Sequence, residues 1–399
     1  MVCNSHVRDA ALHSERIDTH AHLAEKYSGL QEDAALYGHF DTTAPLNDAR
    51  IKAEGCRVLY GIDPGSHLLP DAPPELFRAA AELRKKGAWG AVCHALDRAK
   101  ITRQITFTST KPTDATLPFA KAPHNGRLAW LAYIDDGANG HFEYPCPDFN
   151  VPGFSYYRQL SELFGELKTM DDYLAALDAA IDSWRSFGVV GMKTAMAYTS
   201  GLAVSDPTLG EARQAFVRKN DMTLADFRPV RDFAFRHALL ACKRNALPVV
   251  IHTGFQIWGH STLAQSNPML LHPLLVDPRY KGMTLVLLHG GNPYVGETTY
   301  LAGMFPNVII DFTWIGWVTP PRFRQALAEW LAVVPNDRLC WGSDSCGPES
   351  IAGVDSVIRR LIADVLEESI KEGTIDERYA LEFVENTYVN TPKRVFGLR

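Results

Sequence analysis

The chain has 399 residues, of which 46% are hydrophobic and 22% charged, so it is long enough to bury a large core. Its net charge of −6 is spread along the sequence without a basic block, which argues against nucleic acid or an anionic membrane as a partner. No apolar run approaches the roughly 20 residues that a membrane helix needs. We therefore expect a small polar or organic molecule as the substrate.

The first residues, MVCNSHVRDAALHSER, have no continuous apolar segment and do not resemble a secretory signal. The seven cysteines are scattered without a C-x-x-C pair. This usage is typical of a reducing compartment rather than of a disulfide framework, and it predicts a cytoplasmic protein.

Short apolar runs alternate with stretches of helical periodicity along the whole chain. The apolar runs favour strands near residues 17, 104, 127, 189, 248, 284, 307 and 339. The periodic stretches predict helices at 170–188 and 223–246, and at about 353–371 and 375–396. Strands that alternate with helices indicate an α/β fold with a parallel sheet, and eight of them favour a (β/α)8 TIM barrel over an open doubly wound sheet. We expect residues 1–399 to form a single barrel.

The segment 24–103 is too long for a barrel loop and contains the helical stretch ELFRAAAELRKKGAWGAVCHALDRAK. It follows the first strand, on the side where barrels build their active sites. The segment is therefore expected to be a helical insertion that could serve as a lid.

Residues suited to metal binding stand where the predicted strands end. His20 and His22 are two residues apart, so in a strand both side chains point the same way. Taken singly, each candidate has an ordinary alternative. His20 and His22 could lie in a surface loop, His252 and His289 could be buried structural histidines, and Asp344 could cap a turn or helix. Their common position at strand ends nevertheless predicts a site for Zn²⁺ or a similar divalent ion.

Lys193 lies inside the apolar strand sequence VVGMKTAMAY. A buried ammonium group is costly unless it is paired, neutralised or modified, so a purely structural role is not expected. His260 is a further candidate for a substrate contact. Trp258, Trp314 and Trp317 follow predicted strands and either line an apolar pocket or belong to the core.

These motifs resemble the amidohydrolase superfamily, and more narrowly its amidohydrolase 2 branch. The branch includes decarboxylases of the aminocarboxymuconate semialdehyde type and amidohydrolase modules fused to glutamine-synthetase-like domains. The resemblance covers nearly the whole chain and rests on IDTHAHL, GMKTAMAY, VVIHTG, LVLLHGG, WGSDS and NTYVNTPKRVFGL.

The resemblance implies a role for each candidate. One ion would be held by His20, His22 and Asp344. Zinc is the favoured metal, with manganese and iron as alternatives. His252 and His289 would hold a second ion, or one of them would bind metal while the other polarises the substrate. Lys193 matches the position that carries a CO2-derived carbamate (carboxylysine) in binuclear members of the family. A buried lysine with a lowered pKa can capture CO2, which agrees with this role.

The resulting hypothesis is a binuclear hydrolase that acts on an amide, a lactone or a related C–N or C–O bond of a small organic substrate. Asp344 would act as general base and then acid, and His289 is a further candidate catalytic residue. Tyr198 would stabilise the developing oxyanion or be merely a packed aromatic.

The first alternative is a single-metal, non-oxidative decarboxylase, and a diiron oxygenase on the same fold ranks below it. A non-enzymatic scaffold ranks last, because it would not need these residues at its strand ends. We also expect a homo-oligomer.

Overall fold

The structure is a computed structural model, and it describes residues 5–22, 45–65, 73–108, 126–134, 160–161, 163–198, 200–219, 224–256 and 262–399. Eight strands are present: β1 (Arg16–Ala21), β2 (Ile101–Thr108), β3 (Leu128–Tyr133), β4 (Val189–Thr194), β5 (Val249–Ile251), β6 (Leu285–Leu288), β7 (Val308–Asp311) and β8 (Leu339–Cys340). Each coincides with one of the predicted strands. β2 begins three residues before the predicted stretch, and residues 109–110 lie outside the described residues.

The α-helices of the described ranges are α1 (Ser5–His13), α2 (Pro45–Tyr60), α3 (Pro74–Arg84), α4 (Gly87–Arg98), α5 (Met170–Ser186), α6 (Leu209–Phe216), α7 (Leu224–Arg244), α8 (His272–Val276), α9 (Val295–Met304), α10 (Ile315–Val318), α11 (Pro320–Val333), α12 (Pro348–Lys371), α13 (Glu377–Glu385) and α14 (Thr391–Phe396). Short 3-10 turns connect several of them, including Met196–Tyr198 and His289–Gly291. None of these helices is both long enough and apolar enough to cross a membrane.

The strands form one eight-stranded sheet in the order β1 to β8. The pairs β1–β2, β3–β4, β4–β5, β5–β6 and β7–β8 run parallel. The residues after β8 continue beside β1, because Ala21 bridges Ser345 in parallel and the amide of Thr19 donates to the carbonyl of Trp341 at 3.0 Å. Together with the related structures reported below, this strand order confirms the predicted (β/α)8 TIM barrel fold.

The described residues divide into two compact units. The first unit comprises those within 5–107, 126–129 and 310–399, and the second comprises residue 108 and those within 130–309. In the first unit the core includes Trp330, which is fully buried and stacks on Phe312 with ring centroids 5.9 Å apart. In the second unit Tyr173 stacks on Phe216 at the same centroid distance.

Helix α5 shows how local sequence sets the elements. Thr169 caps its start, accepting a hydrogen bond from the amide of Asp172 at 3.1 Å while the Asp172 carboxylate accepts one from the amide of Thr169. Gly188, with φ of 87°, ends the turn that follows and leads directly into β4. The predicted helix at 170–188 is therefore confirmed, and it fixes where β4 begins.

Three helices, α2 to α4, lie between β1 and β2, as expected for a helical insertion. Within the predicted segment 24–103, residues 24–44 and 66–72 lie outside the described residues, so the lid role stays a prediction.

The single helix predicted at 375–396 is wrong in detail. A π-helical turn, Asn386–Asn390, separates α13 from α14. Pro392 has no amide hydrogen for the helical ladder. The wide turn also carries Tyr388, whose buried hydroxyl donates to the carbonyl of Ala11 at 2.9 Å.

Candidate metal centre

His20 lies near the end of β1 and His22 directly follows the strand, and both imidazoles reach the carboxylate of Asp344. His20 is buried, with 1% of its side chain exposed, whereas the His22 side chain is 39% exposed. The two rings meet edge to face with centroids 5.3 Å apart. One imidazole is thus anchored in the protein interior and the other reaches towards solvent.

Asp344 reaches the same point from the segment that follows β8. Its amide donates to the carbonyl of His20 at 2.8 Å, so the two residues are adjacent across paired backbones. Its φ of 56° lies in the left-handed region, which is unusual for a residue other than glycine and which clusters at functional sites. The carboxylate atom Oδ1 lies 3.3 Å from Nε2 of His20 and 3.1 Å from Nε2 of His22.

The three donors, here called the triad (His20, His22 and Asp344), fit a divalent ion. Their ligand atoms all lie within 4.8 Å of one another. Donors that share one zinc ion at about 2.0–2.2 Å are themselves about 3–4 Å apart, and two imidazoles with a carboxylate are a common donor set for zinc. Among the described residues, no other group of three or more histidine, cysteine or acidic side chains has this spacing.

The charge state of Asp344 also suits a ligand. Burial opposes its ionisation, but the hydrogen bonds and charges of His20 and His22 outweigh burial and hold the pKa of this carboxyl well below its usual range. The carboxylate is therefore ionised, as a metal ligand must be.

A second acidic residue, Asp18, is hydrogen-bonded to the backbone that carries the triad. It is fully buried two residues before His20 and accepts hydrogen bonds from Ser343 and from Gln104 of β2. Burial raises the pKa of Asp18 to about 7, although these hydrogen bonds act to lower it. Asp18 was not among the residues predicted from the sequence; its i, i+2 spacing to His20 indicates that both lie on one strand face, but not that Ser343 and Gln104 donate to it.

The second unit contains four other predicted site residues: Lys193, Tyr198, His252 and His289. Lys193 is buried near the end of β4, 3% exposed, beside Tyr133 of β3 and Val250 of β5. His252 follows β5, and its ring lies 4.2 Å from that of Tyr198, centroid to centroid. Tyr198 is therefore packed against a candidate ligand.

His252 and His289, here called the histidine pair, are hydrogen-bonded to each other. Nε2 of His289 lies 2.9 Å from Nδ1 of His252, and Nε2 of His252 lies 2.8 Å from the carbonyl oxygen of Phe255. Because that carbonyl can only accept, Nε2 of His252 carries the proton and Nδ1 accepts from His289. A metal ion at His252 would have to replace one of these two hydrogen bonds.

The loops that carry the histidine pair are tightly packed. Gly254 has φ of 72°, and a Cβ there would lie 2.1 Å from the carbonyl oxygen of Asn292. The amide of Phe255 donates to the same carbonyl at 2.6 Å. The glycine in VVIHTG thus lets the loop after β5 approach the loop that carries His289.

The remaining candidates separate into two groups. Trp314 and Trp317 are each 3% exposed, with ring centroids 6.5 Å apart, which agrees with the core alternative. Trp258 and His260 lie outside the described residues.

The chain is similar to known proteins in sequence over residues 169–398 and in fold over nearly its whole length. The sequence model of the amidohydrolase family matches residues 169–398. Protein fluG of Emericella nidulans is 28% identical over 229 residues, which are 53% of this chain and 26% of that protein. The chain thus spans about a quarter of the length of this curated relative.

Solved structures show the same fold over nearly the whole chain. A protein assigned as a metal-dependent hydrolase from Lactobacillus casei has a TM-score of 0.70 and 15% identity, covering 98% of this chain and 97% of that one. The uronate isomerase of Thermotoga maritima has a TM-score of 0.70 and 15% identity, covering 98% and 96%. The uronate isomerase of Bacillus halodurans has a TM-score of 0.69 and 14% identity, covering 99% and 96%.

Proposed function

The chain belongs to the amidohydrolase family, and from that premise we propose that it is a metal-dependent hydrolase acting on an amide, lactone or related bond of a small organic molecule. The observation that carries the proposal is the triad, in which Asp344 faces both histidines at 3.1 and 3.3 Å. Its nitrogen and oxygen donors suit zinc best, and they also accept manganese or iron.

Each member of the triad has a distinct task in this proposal. Buried His20 fixes the position of the ion, and the partly exposed His22 completes the donor set on the solvent side. A divalent ion held there supplies Lewis acidity and lowers the pKa of a bound water towards about 7.

Asp344 is assigned the proton transfer. Its low pKa keeps the carboxylate ionised, the state from which a proton acceptor must start. Because Oδ1 faces the two histidines, we propose that Oδ2 accepts the proton of the attacking water. The same oxygen then donates this proton to the leaving group.

The histidine pair and Lys193 are proposed to hold a second ion, with Lys193 carboxylated by CO2. The support is chemical, because Lys193 is 3% exposed and a carbamate would replace a buried ammonium with an oxygen ligand. Tyr198 is then the candidate group for polarising the substrate; if only His252 binds metal, His289 shares that role.

A second candidate function is a single-metal decarboxylase of a small carboxylic acid. The hydrogen bonds of His252 favour it, since both ring nitrogens already have partners at 2.8 and 2.9 Å. In that case Lys193 is unmodified and serves as a charged neighbour or an anchor for the substrate carboxylate.

Metal content per chain, measured with intact mass under non-denaturing conditions, separates the two candidates. Two equivalents with the added mass of one CO2 support the binuclear hydrolase, and Lys193→Ala should then remove one equivalent and the added mass. One equivalent without added mass supports the decarboxylase. A chain that binds no divalent ion would contradict both.

Two variants control for the assignment of the ligands. His20→Ala should lose the ion of the triad, whereas His237→Ala should keep the full metal content, because His237 pairs with Asp178 on a partly exposed helix surface. Turnover of amides and lactones, compared with that of carboxylated aromatic or muconate-like acids, then identifies the reaction.

A further inference from the structure

The carboxylate of Asp18 joins the backbone of β1 to the backbone of the segment after β8. Its Oδ1 accepts from the amide of His20 at 3.1 Å and from the amide of Ser343 at 2.8 Å. Ser343 immediately precedes Asp344. One oxygen atom therefore holds together the two stretches of chain that carry the triad.

The second oxygen of Asp18 extends this connection sideways. Oδ2 accepts from Nε2 of Gln104 at 2.6 Å and from the hydroxyl of Ser343 at 2.5 Å. All four contacts come from groups that can donate, an arrangement that a carboxylate satisfies and an amide does not.

The same network reaches the third member of the triad. The hydroxyl of Ser343 lies 2.6 Å from that of Ser345 and accepts from the amide of Ser345 at 3.2 Å. The carbonyl of Ser345 in turn accepts from the amide of His22 at 2.8 Å. Asp18 is thus linked by one hydrogen bond to the backbone of His20, by one to that of Ser343 beside Asp344, and through three hydrogen bonds to that of His22.

We propose that Asp18 is a positioning residue that sets the spacing of the triad for its metal ion, acting through Ser343 and the backbone of β1. This inference rests on the proposed function, in that the triad must bind metal. Asp18 itself is not a ligand, since its oxygens are occupied by the four donors. Partners that orient metal ligands commonly change affinity by about 10–100-fold when they are replaced.

The test compares Asp18→Asn with Asp311→Asn. Asp311 is an equally buried carboxylate of the first unit that accepts from the hydroxyls of Thr19 and Thr313 and from the amide of Thr313, so its loss costs similar packing. We expect Asp18→Asn to weaken Zn²⁺ binding by at least about tenfold and to change the visible absorption of the Co²⁺-substituted protein. Asp311→Asn should leave both readouts near those of the unsubstituted protein.

Ser343→Ala provides the second variant should Asp18→Asn fail to fold. It removes the hydrogen bonds of the Ser343 hydroxyl to Asp18 and Ser345 but keeps the one from the Ser343 amide to Asp18. We therefore expect a smaller loss of Zn²⁺ affinity, about fivefold. Equal affinities and spectra in Asp18→Asn, Ser343→Ala and the unsubstituted protein would overturn the positioning role. If the unsubstituted protein bound no Zn²⁺, the metal assignment itself would be wrong, and the proposed function would fall together with this inference.

Discussion

Gly342 lies where the segment after β8 passes closest to His20. A Cβ at this position would lie 2.3 Å from Oγ1 of Thr313, 2.6 Å from Cβ of His20 and 2.7 Å from its amide nitrogen. Two of these atoms belong to His20 of the triad. The glycine in WGSDS is therefore required because any larger side chain would clash with His20, and not because of its backbone conformation.

Gly342→Ala should therefore displace His20 and weaken both folding and metal binding. We expect a loss of about 1–3 kcal/mol in the free energy of unfolding, as for other overpacked sites, and a weaker Zn²⁺ affinity measured by competition with a chelator. Gly296→Ala is the matched control, because a Cβ at that helical position meets nothing within 4 Å. Unchanged metal affinity in Gly342→Ala would show that the close packing does not position His20.

At the scale of single residues, the sequence indicated the candidate ligands better than the residues that support them. His20, His22 and Asp344 could be found because imidazole and carboxylate groups at strand ends have few other uses in combination. Asp18 and Ser343 could not be found in this way, since their role depends on which strands are neighbours and on hydrogen bonds between residues 325 positions apart.

At the scale of elements, an ion cluster fastens helix α7 to the turn after α8. Asp277 accepts from the amide and Nε of Arg279 at 2.9 and 3.0 Å, and NH1 of Arg236 on α7 lies 3.2 Å from its Oδ2. The hydrogen bonds of Arg279 lower the pKa of Asp277 to about 2. The carboxylate thus remains ionised well into the acid range.

This cluster predicts an acid-dependent contribution to stability. The folded-state pKa of about 2 lies below the ordinary value of 3.8, so the contribution is present above about pH 4 and is lost as the pH falls through 2. In Asp277→Asn, the free energy of unfolding should fall less steeply as the pH is lowered from about 4 to 2, which we call the acid limb. At neutral pH the substitution should cost about 1 kcal/mol or less, since Arg279 is 45% exposed. Urea unfolding between pH 2 and 7 measures both effects, and Arg279→Leu should reproduce them. An acid limb as steep as that of the unsubstituted protein would contradict the prediction.

The elements themselves were largely predictable, because strands buried on both faces and helices buried on one face have different apolar periods. The capping pair of Thr169 and Asp172 lies where α5 begins. The π-helical turn at 386–390 was not predictable from period alone, since it depends on the tertiary contact of Tyr388 with Ala11.

At the scale of the whole molecule, the fold does not choose the reaction. Structures with TM-scores near 0.70 include uronate isomerases as well as a protein assigned as a metal-dependent hydrolase. The eight-stranded fold follows from the order of elements along the sequence, whereas the reaction depends on side chains at the strand ends. The homo-oligomer and the lid likewise stay predictions.

Metal binding should stabilise the folded chain as a whole. At a free Zn²⁺ concentration 100 times the Kd, the expected gain is about 2.7 kcal/mol, which for a protein of this size raises the Tm by roughly 3 °C. Differential scanning fluorimetry with Zn²⁺ and with a chelator measures this shift. The double variant His20→Ala with Asp344→Asn should lose the part of the shift that is due to the triad, and an equal shift in that variant would place the bound ion elsewhere.

The pairing of β1 with the segment after β8 has a consequence for how the protein is made. Asp18 and Ser343 are 325 residues apart, so at about 5–20 residues per second the ribosome needs roughly 16–65 s to reach the second after the first. During that time the nascent chain carries two histidines without their carboxylate and without the contacts that orient them. The triad can be complete only after Asp344 has been added, so a bound ion would report that the ribosome has made both stretches of chain that carry the triad.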